Sequence, residues 1–312
     1  MIAFSLAAPS DDAGIRRLLA ASPMPGRIRL RFEREPSYFA GCAPETDVLV
    51  ARDGERVVGV ACRTMQKLYI NGVAEEVGYL GQLRVDSAYR GRLLTARGYR
   101  VMRELHEQRP ARGYYTTIVD GNAQAEGVLV RRSRGVMPRY KFVEHLYTLA
   151  LNVRQASACP SRGGQAEACP TFGNLYPAYA PHGEVVSVPG GSAAIVDQRA
   201  YKQTVVDGYD RPLSIVRPLL RLPKPGATLN HAYVTHFQAE DAHALISAIL
   251  EKAKGFDHVL FGFTESDPHL EIVRRFKPVE YRSSIYTVAF DDGDDFHERL
   301  LARPRAVDIS AL

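Results

Sequence analysis

The sequence predicts an α/β (α+β) fold with two similar domains, each a mixed, mostly antiparallel twisted sheet flanked by helices. Two-residue turns join three strand patterns in the first half, and strand and helix patterns then alternate. The second half repeats that alternation, which indicates a duplicated fold. The predicted domains are residues 1–155 and 183–312, and the Pro- and Gly-rich segment 156–182 is predicted to be a linker with irregular surface structure.

The first domain is predicted to begin with a helix and a three-stranded meander. Ser10-Asp11-Asp12 opens the helix, because these side chains cap helices and apolar residues follow at helical spacing. The proline-containing region after this helix is expected to form a short helix and loops over a cleft. Asp53-Gly54 and Asn71-Gly72 favour the tight turns of the meander. Its strands are predicted at 47–52, at 56–70 and up to Val85.

Helices and strands alternate in the rest of the chain. The first domain continues with a helix after Gly91 to about Gln108, a strand at 114–119, a helix capped at Asp120-Gly121-Asn122 and a strand at 140–152. The second domain is predicted to contain strands at 229–238, 256–263 and 281–290 and helices at 239–254 and 268–276. The runs at 146–151 and 285–290 each have an apolar residue, Tyr-Thr and three apolar residues, which supports the duplication.

Charge and cysteine content restrict the class of ligand. Residues 1–155 hold 24 Lys and Arg against 16 Asp and Glu, so the first domain suits a polyanionic ligand. Dense basic runs interleaved with aromatic residues do not occur, and nucleic acid is therefore not expected as a partner. The cysteines have no metal-ligand spacing, and a bridge between Cys159 and Cys169 is left open. Because no apolar run approaches the roughly 20 residues of a membrane span and no leader pattern occurs, we expect a cytoplasmic protein without a membrane partner.

Residues 80–98 carry the strongest functional signal. An apolar strand ends at Val85, a short loop with Arg90 and Gly91 follows, and a helix pattern begins at once. The first N–H groups of a helix have no partner within it, and the helix dipole favours anions at that end. With arginines beside it, such a helix start is a binding site for phosphate.

This stretch resembles the acyl-coenzyme A loop of the GNAT N-acetyltransferase superfamily, in which a strand ending in L-x-V precedes R-G-x-G-x-G/A. Leu83, Val85, Arg90 and Gly91 match the motif, whereas Leu93 and Thr95 replace its two later glycines. The order of helices and strands in the first half is also that of the superfamily. The whole chain therefore resembles a tandem GNAT protein with an altered acyl-CoA loop.

The resemblance implies a site for an acyl-CoA cosubstrate, with acetyl-CoA as the first choice and no metal. The main chain of Leu83, Arg84 and Val85 would pair with the pantetheine arm. The loop would give its N–H groups to the pyrophosphate, with added charge from Arg90 or Arg92. Leu93 can point into the core, whereas Thr95 narrows the approach, and a plain strand-to-helix crossover is the alternative interpretation. The loop residues concerned are Arg90, Gly91, Arg92, Leu93, Leu94 and Thr95.

The candidate catalytic residues follow from the same resemblance. Asn122 matches an Asn-x-x-Ala motif whose Asn contacts the cofactor arm, although an N-cap explains it equally well. In the superfamily a tyrosine protonates the departing thiolate, but Leu129 occupies that position here. Tyr79 and Asp120 are the best-placed substitutes for proton transfer, with packing and helix capping as their alternative roles.

Tandem relatives such as the N-myristoyltransferases suggest a further base. In these the terminal carboxylate of the chain reaches the first domain, so Leu312 could take that part here. The second half has Ala239-Glu240-Asp241 where the first has Arg-Gly, so it is expected to be structural or a wall of the acceptor site.

The sequence therefore predicts transfer of an acyl group from coenzyme A to an amine by direct attack on the thioester. The acceptor would be a small-molecule or peptide amine, and the oligomeric state is not predicted. The alternative is a catalytically inactive GNAT-like module that binds coenzyme A or a protein partner.

Overall fold

The structure is a computed structural model of the 312-residue chain. It describes residues 1–91, 93–131, 137–156, 173–178, 182–218 and 222–312, with the side chains of residues 155 and 156 excepted. Arg92, Cys159, Cys169 and most of the predicted linker lie outside the described residues.

The first half contains seven strands among its described residues. They are β1 (Ile2–Leu6), β2 (Ile28–Glu33), β3 (Thr46–Asp53), β4 (Arg56–Ile70), β5 (Val73–Val85), β6 (Tyr114–Val119) and β7 (Arg139–Asn152). The helices are α1 (Asp12–Ala20), α2 (Leu94–Gln108), α3 (Ala123–Ala125) and α4 (Val153–Ala156). A π-helical turn, Glu126–Val130, continues α3. Short 3₁₀ turns lie at Pro9–Asp11, Phe39–Gly41 and Ser87–Tyr89.

The described part of the second half has a similar alternation of strands and helices. Its strands are β8 (Tyr176–Pro177), β9 (Glu184–Val188), β10 (Gly191–Val196), β11 (Gln203–Tyr209), β12 (His231–Ala239), β13 (His258–Thr264) and β14 (Val279–Ala289). Its helices are α5 (Arg211–Val216), α6 (Ala242–Lys252), α7 (Leu270–Arg274) and α8 (Phe296–Leu301). A 3₁₀ turn, Ile309–Ala311, lies near the end of the chain given.

One twelve-stranded sheet runs through both halves, and β2 and β11 form a separate two-stranded sheet. The order of the large sheet is β1-β3-β4-β5-β6-β14-β7-β13-β12-β10-β9, with β8 on β4. The last strands of the two halves are exchanged. β14 pairs with β6 of the first half, and β7 pairs with β13 of the second. Because β7 and β14 also pair with each other along their length, one hydrogen-bonded sheet continues from the first half into the second.

Helices cover both faces of the first-half sheet. Leu49 of β3 packs with Tyr99 and Met102 of α2. Its neighbours Val48 and Val50 point to the other face and pack against α1. Since β2 contacts α1, the two-stranded sheet lies on that second face. The first half therefore has an α2 face and an opposite face formed by α1 and the β2–β11 sheet.

The predicted α/β class is confirmed, and most predicted elements are present. The bounds of β4 and β6 are those that the sequence predicts. β1 was not predicted, and β2 occupies part of the region in which a short helix and loops were expected. Ile28, Leu30 and Phe32 of β2 alternate with charged residues, which is a strand signal that the prediction missed.

Candidate functional site

Strands β5 and β6 separate after Tyr79, and we call the gap between them the first fork. In the described chain the parallel pairing of these strands is limited to Gly78 and Tyr79, although β5 pairs with β4 as far as Val85. Gln82 has a φ of 57° and lies in a bulge where the register of β4 and β5 shifts. A bulge bends its strand, which accounts for the separation. The main chain beyond Gly81 is therefore left without a strand partner on its β6 side.

Helix α2 begins beside the first fork with open N–H groups. Leu93 precedes the helix with a φ of 56°, and its side chain provides no cap. The first hydrogen bond of the helix runs from Arg97 N–H to the Leu93 carbonyl at 3.0 Å. The N–H groups of Leu94, Thr95 and Ala96 therefore have no partner within the helix.

The loop before α2 adds space and positive charge. Gly91 has a φ of 82°, and a Cβ at this position would meet no described atom within 4 Å. Arg90 is exposed, and its Nε lies 3.4 Å from the Val85 carbonyl oxygen. Open amides, a positive helix end and a nearby guanidinium together favour an anion here.

Leu93 does not point into the core as expected. Its side chain is 75% exposed, whereas that of Leu94 is 5% exposed and packs with Ala51 and Val58. The left-handed backbone at Leu93 turns its side chain outward, and Leu94 takes the core position instead. The Leu93 side chain therefore does not cover the free N–H groups of α2 on the core side. Thr95 lines the cavity that is described next.

A cavity of about 340 Å³ passes through the first fork and reaches both faces of the sheet. On the α2 face it is lined by Leu83, Leu94, Thr95, Tyr99, Asn122 and Leu129. On the opposite face its lining includes Arg84, Tyr281, Ile28, Leu30, Lys202 and Leu312. Its described lining contains no Asp or Glu. The fork thus joins the anion-favouring helix start to a largely apolar chamber with positive charge.

Tyr79 lies at the closed end of the first fork. Its hydroxyl is 3.0 Å from Thr117 Oγ1, and its ring packs against Tyr115. Burial raises the pKa of Tyr79 above its ordinary value, so the hydroxyl keeps its proton at neutral pH. Among the predicted catalytic residues, Tyr79 therefore combines a position on the cavity wall with a proton to donate.

The other predicted polar residues have different surroundings. The Asp120 carboxylate pairs with Arg282 Nε and accepts a hydrogen bond from Ser284 Oγ at 3.2 Å, and Asp120 is not part of the cavity lining. Asn122 accepts a hydrogen bond from Ala125 N–H at 3.1 Å and also lines the cavity. Its capping role is thus present, and its position is compatible with a ligand contact as well.

Leu312 reaches the cavity from the second half. Its main-chain oxygen accepts a hydrogen bond from Lys202 Nζ at 2.8 Å, and Ser310 O lies 3.4 Å from the same nitrogen. Lys202 is 6% exposed and had not been singled out from the sequence. Its neighbours in the sequence have no motif that marks it, so the fold alone reveals its position.

The described residues contain no cluster of three or more His, Cys, Asp or Glu side chains that could hold a metal ion. None of the helices in the described ranges is long and apolar enough to cross a membrane.

Comparison with known proteins identifies the fold. No protein-family model matches the chain, and no curated protein matches its sequence. Among solved structures, the chain is similar to a conserved protein of unknown function from Enterococcus faecalis V583, described as a probable N-acyltransferase, with 7% identity over 95% of this chain and 74% of that one (TM-score 0.47). A GCN5-related N-acetyltransferase from Kribbella flavida is similar with 10% identity over 92% of this chain and 70% of that one (TM-score 0.45).

A tandem GNAT protein from the clavulanic acid biosynthesis pathway, solved without acetyl-CoA, gives a TM-score of 0.50 with 14% identity. The alignment covers 94% of this chain and 100% of that one, so it includes both halves. The chain therefore has the fold of the tandem GNAT proteins.

Proposed function

We propose that the protein transfers an acyl group from coenzyme A to an amine, with acetyl as the first candidate. One observation carries the proposal: the first fork and the uncapped start of α2 open onto the same cavity. A coenzyme A thioester has a diphosphate, an amide-rich arm and a reactive carbonyl. It therefore needs an anion site, free main-chain groups and a passage to the acceptor, all in one line.

The residues present fit such a cosubstrate. The N–H groups of Leu94, Thr95 and Ala96, with the Arg90 guanidinium, are assigned to the diphosphate. The main chain of Leu83–Val85 is assigned to the pantetheine arm, because it has no strand partner on the β6 side. The open space at Gly91 and the lack of Asp and Glu side chains in the described lining support this assignment. The predicted contribution of Arg92 stays a prediction.

The chemistry needs one proton to move in each direction. A coenzyme A thioester supplies an electrophilic carbonyl and a thiolate leaving group. We assign Tyr79 as the donor of the proton that the thiolate takes up, because its buried hydroxyl is protonated and lines the cavity. Main-chain N–H groups of the separated part of β5 are the candidate donors to the carbonyl oxygen.

The base that receives the proton of the amine is assigned from position. Asp120 is left out, because its carboxylate pairs with Arg282 away from the cavity lining. Leu312 stays the candidate base, through a terminal carboxylate, because it lines the acceptor side of the cavity. Deleting Leu312 should then lower kcat while coenzyme A affinity is unchanged.

Calorimetry with coenzyme A and the variant Arg90→Glu tests the anion site. Reversing this charge should weaken binding by about tenfold to a hundredfold, because a charge-assisted contact to the diphosphate is lost and repulsion replaces it. Arg100→Glu is the matched control, since Arg100 is exposed on the same helix and is not among the cavity-lining residues. The control should bind as the parent protein does.

The binding and turnover measurements each support or refute one part of the proposal. Failure of the parent protein to bind coenzyme A would refute the proposal, and equal binding by both variants would refute the diphosphate assignment. Acetyl-CoA turnover that depends on an added amine would support the transferase. Binding without turnover across a panel of amines would support the inactive module instead.

A further inference from the structure

Arg84 points away from α2, into the acceptor side of the cavity. Its neighbours on β5, Leu83 and Val85, pack with the side chains on the α2 face. Successive side chains of a strand alternate between faces, so Arg84 lies on the opposite face. It lines the cavity there. The main chain at this position is thus assigned to the cosubstrate, while the side chain is available to the acceptor.

The Arg84 guanidinium has no anionic partner among the residues that the structure describes. Its one hydrogen bond runs from Nη1 to the Leu83 carbonyl oxygen at 2.9 Å. The buried Arg63, by contrast, pairs with Asp47 at 2.6 Å, and the largely buried Arg305 pairs with Glu144. Burying a cation without an anion is costly, and proteins normally avoid it.

A neighbouring buried cation, Arg34, increases the positive potential beside the partly buried Arg84. Arg34 is 6% exposed, and its Nε has no hydrogen-bond partner in the described part of the chain. Burial is the main cause that lowers the pKa of Arg84, and the charge of Arg34 lowers it further. Arg84 remains charged at neutral pH, because arginine is not deprotonated in proteins. An anionic ligand would relieve this unbalanced charge.

Tyr281 adds a neutral donor to the same place. Its hydroxyl is buried without a described hydrogen-bond partner, and the residue lines the cavity. Arg84 and Tyr281 are close enough for each to shift the pKa of the other, and burial keeps the hydroxyl protonated. A guanidinium without an anionic partner and a hydroxyl without an acceptor are suited to the two oxygens of a carboxylate.

The wall around this pair is apolar. Met24, Ile28 and Leu30 line it from the segment that forms β2, and Leu222 and Val279 contribute further apolar surface. An acceptor with an apolar side chain would bury that group here, because the removal of apolar surface from water is favourable. The chamber therefore places the positively charged Arg84 beside an apolar wall.

We propose that the acceptor is an amino acid with an apolar side chain, and that Arg84 and Tyr281 bind its carboxylate. This inference rests on the proposed transferase function. In the reaction the amine nitrogen forms a bond with the acyl carbonyl carbon as the carbon–sulfur bond breaks. The amine loses a proton and the thiolate gains one, so the products are an N-acyl amino acid and free coenzyme A.

The test compares L-leucine with L-leucinamide, which lacks the carboxylate charge. With acetyl-CoA, kcat/KM for leucine should exceed that for leucinamide by about tenfold or more. Arg84→Gln should remove this preference by lowering kcat/KM for leucine to about the value for leucinamide. Tyr281→Phe, which keeps the ring, should reduce the preference less and should not lower the melting temperature, because it removes a buried hydroxyl without a partner.

A binding measurement separates this inference from the transferase proposal. N-acetyl-L-leucine should bind by calorimetry, N-acetyl-L-leucinamide should bind about tenfold more weakly, and Arg84→Gln should abolish the difference. If leucinamide is acylated as well as leucine, the carboxylate site is refuted and the transferase stands. If the carboxylate-dependent binding occurs but no amine is acylated, the site stands and the transferase is refuted.

Discussion

The second half contains a counterpart of the first fork, between β12 and β13. These strands pair in parallel from His231 to Tyr233 and not beyond in the described chain. His236 has a φ of 53° and lies in a bulge where the register with β10 shifts. Tyr233 and His236 thus correspond to Tyr79 and Gln82, with the same three-residue separation. We call this counterpart the second fork.

The two forks differ in what fills them. In the second fork the aromatic rings of Phe237, Phe261, Phe263 and His269 pack together. The register of the strands places Leu83, Thr116 and Ile118 at the positions of the three phenylalanines in the first fork. The same backbone arrangement therefore creates both openings, and the size of three side chains decides which of them is filled.

The N-terminus of α2 is open to an anion, whereas that of α6 is capped by a carboxylate. Asp241 caps α6, where its carboxylate accepts a hydrogen bond from Ala244 N–H at 3.0 Å. Leu93 leaves the start of α2 without a side-chain cap. A carboxylate satisfies the helix end and repels an anion, whereas an uncapped end attracts one. Charge and volume thus both favour the first fork as the ligand site.

Filling the first fork should have the largest effect. Leu83→Phe introduces the ring that Phe237 places in the second fork, and it should block the path of the pantetheine arm. We expect coenzyme A affinity to fall by about a thousandfold, equivalent to about 4 kcal/mol. Leu83→Met, which conserves volume, should bind normally. Calorimetry of both variants is the measurement, and unchanged affinity of Leu83→Phe would show that the ligand does not use the fork.

Acid should weaken the second half selectively. His231 is 1% exposed, and burial, with smaller contributions from the charges of Lys202, His258 and Arg199, lowers its pKa to about 4. Between that value and the ordinary pKa of about 6.5, the unfolded chain binds a proton that the folded chain does not. The free energy of unfolding should therefore fall by up to about 3 kcal/mol as pH decreases from about 6.5 to 4.

Urea unfolding of the parent protein and of His231→Gln at several pH values measures this loss. The variant should lose less stability on acidification, although His258, whose pKa burial also lowers, retains part of the effect. Hydrogen exchange should locate the weakening in β12 and β13 rather than in β5 and β6. Equal pH dependence of the two proteins would contradict the assignment to His231.

An acidic residue at the start of α2, like Asp241 at the start of α6, should lower coenzyme A affinity without lowering the stability of the fold. Leu93→Asp should lower coenzyme A affinity by about tenfold through repulsion. It should not destabilise the fold, because Asp tolerates a left-handed backbone and a negative charge at a helix start contributes about 0.3–1 kcal/mol. Leu93→Asn is the uncharged control. If the two variants bind alike, charge at this position does not matter to the ligand.

Restoring the glycine of the superfamily motif should have the smallest effect. Leu93 is largely exposed, and its left-handed backbone costs about 1–2 kcal/mol that glycine avoids. Glycine loses about 0.5–1 kcal/mol through the freedom of the unfolded chain. Leu93→Gly should therefore stabilise the protein by about 0.5 kcal/mol and leave coenzyme A affinity unchanged, as measured by thermal unfolding and calorimetry.

The meander was predictable because its signals are local. Asn71-Gly72 adopts positive φ at both residues, and the alternating pattern of Arg56–Ile70 forms β4 with the expected bounds. The sequence signal for the helix after Gly91 is also local, since its apolar residues recur at helical spacing. The outward direction of Leu93 was not predictable in this way, because it depends on one backbone angle that leucine seldom adopts.

The acceptor side of the cavity depends on contacts between distant parts of the sequence. Tyr281 reaches the first half because β14 is exchanged, and Lys202 arrives through the turn before β11. No motif lies next to either residue in the sequence. The exchange of strands and the lining of a cavity also produce no periodic pattern in the sequence. The proposed cosubstrate loop was therefore predictable from its motif, whereas the proposed acceptor chamber depends on the tertiary fold.

The exchange of β7 and β14 also determines when strand β6 of the first half can be fully paired during synthesis. β6 pairs with β5 at two positions and with β14 from Ser283 to Val288. Until those last residues leave the ribosome, a nascent chain carries an unprotected strand edge in its first half, where other chains can attach. The first fork is therefore enclosed only after residues 283–288 have been synthesised, about 200 residues after its own strand β5.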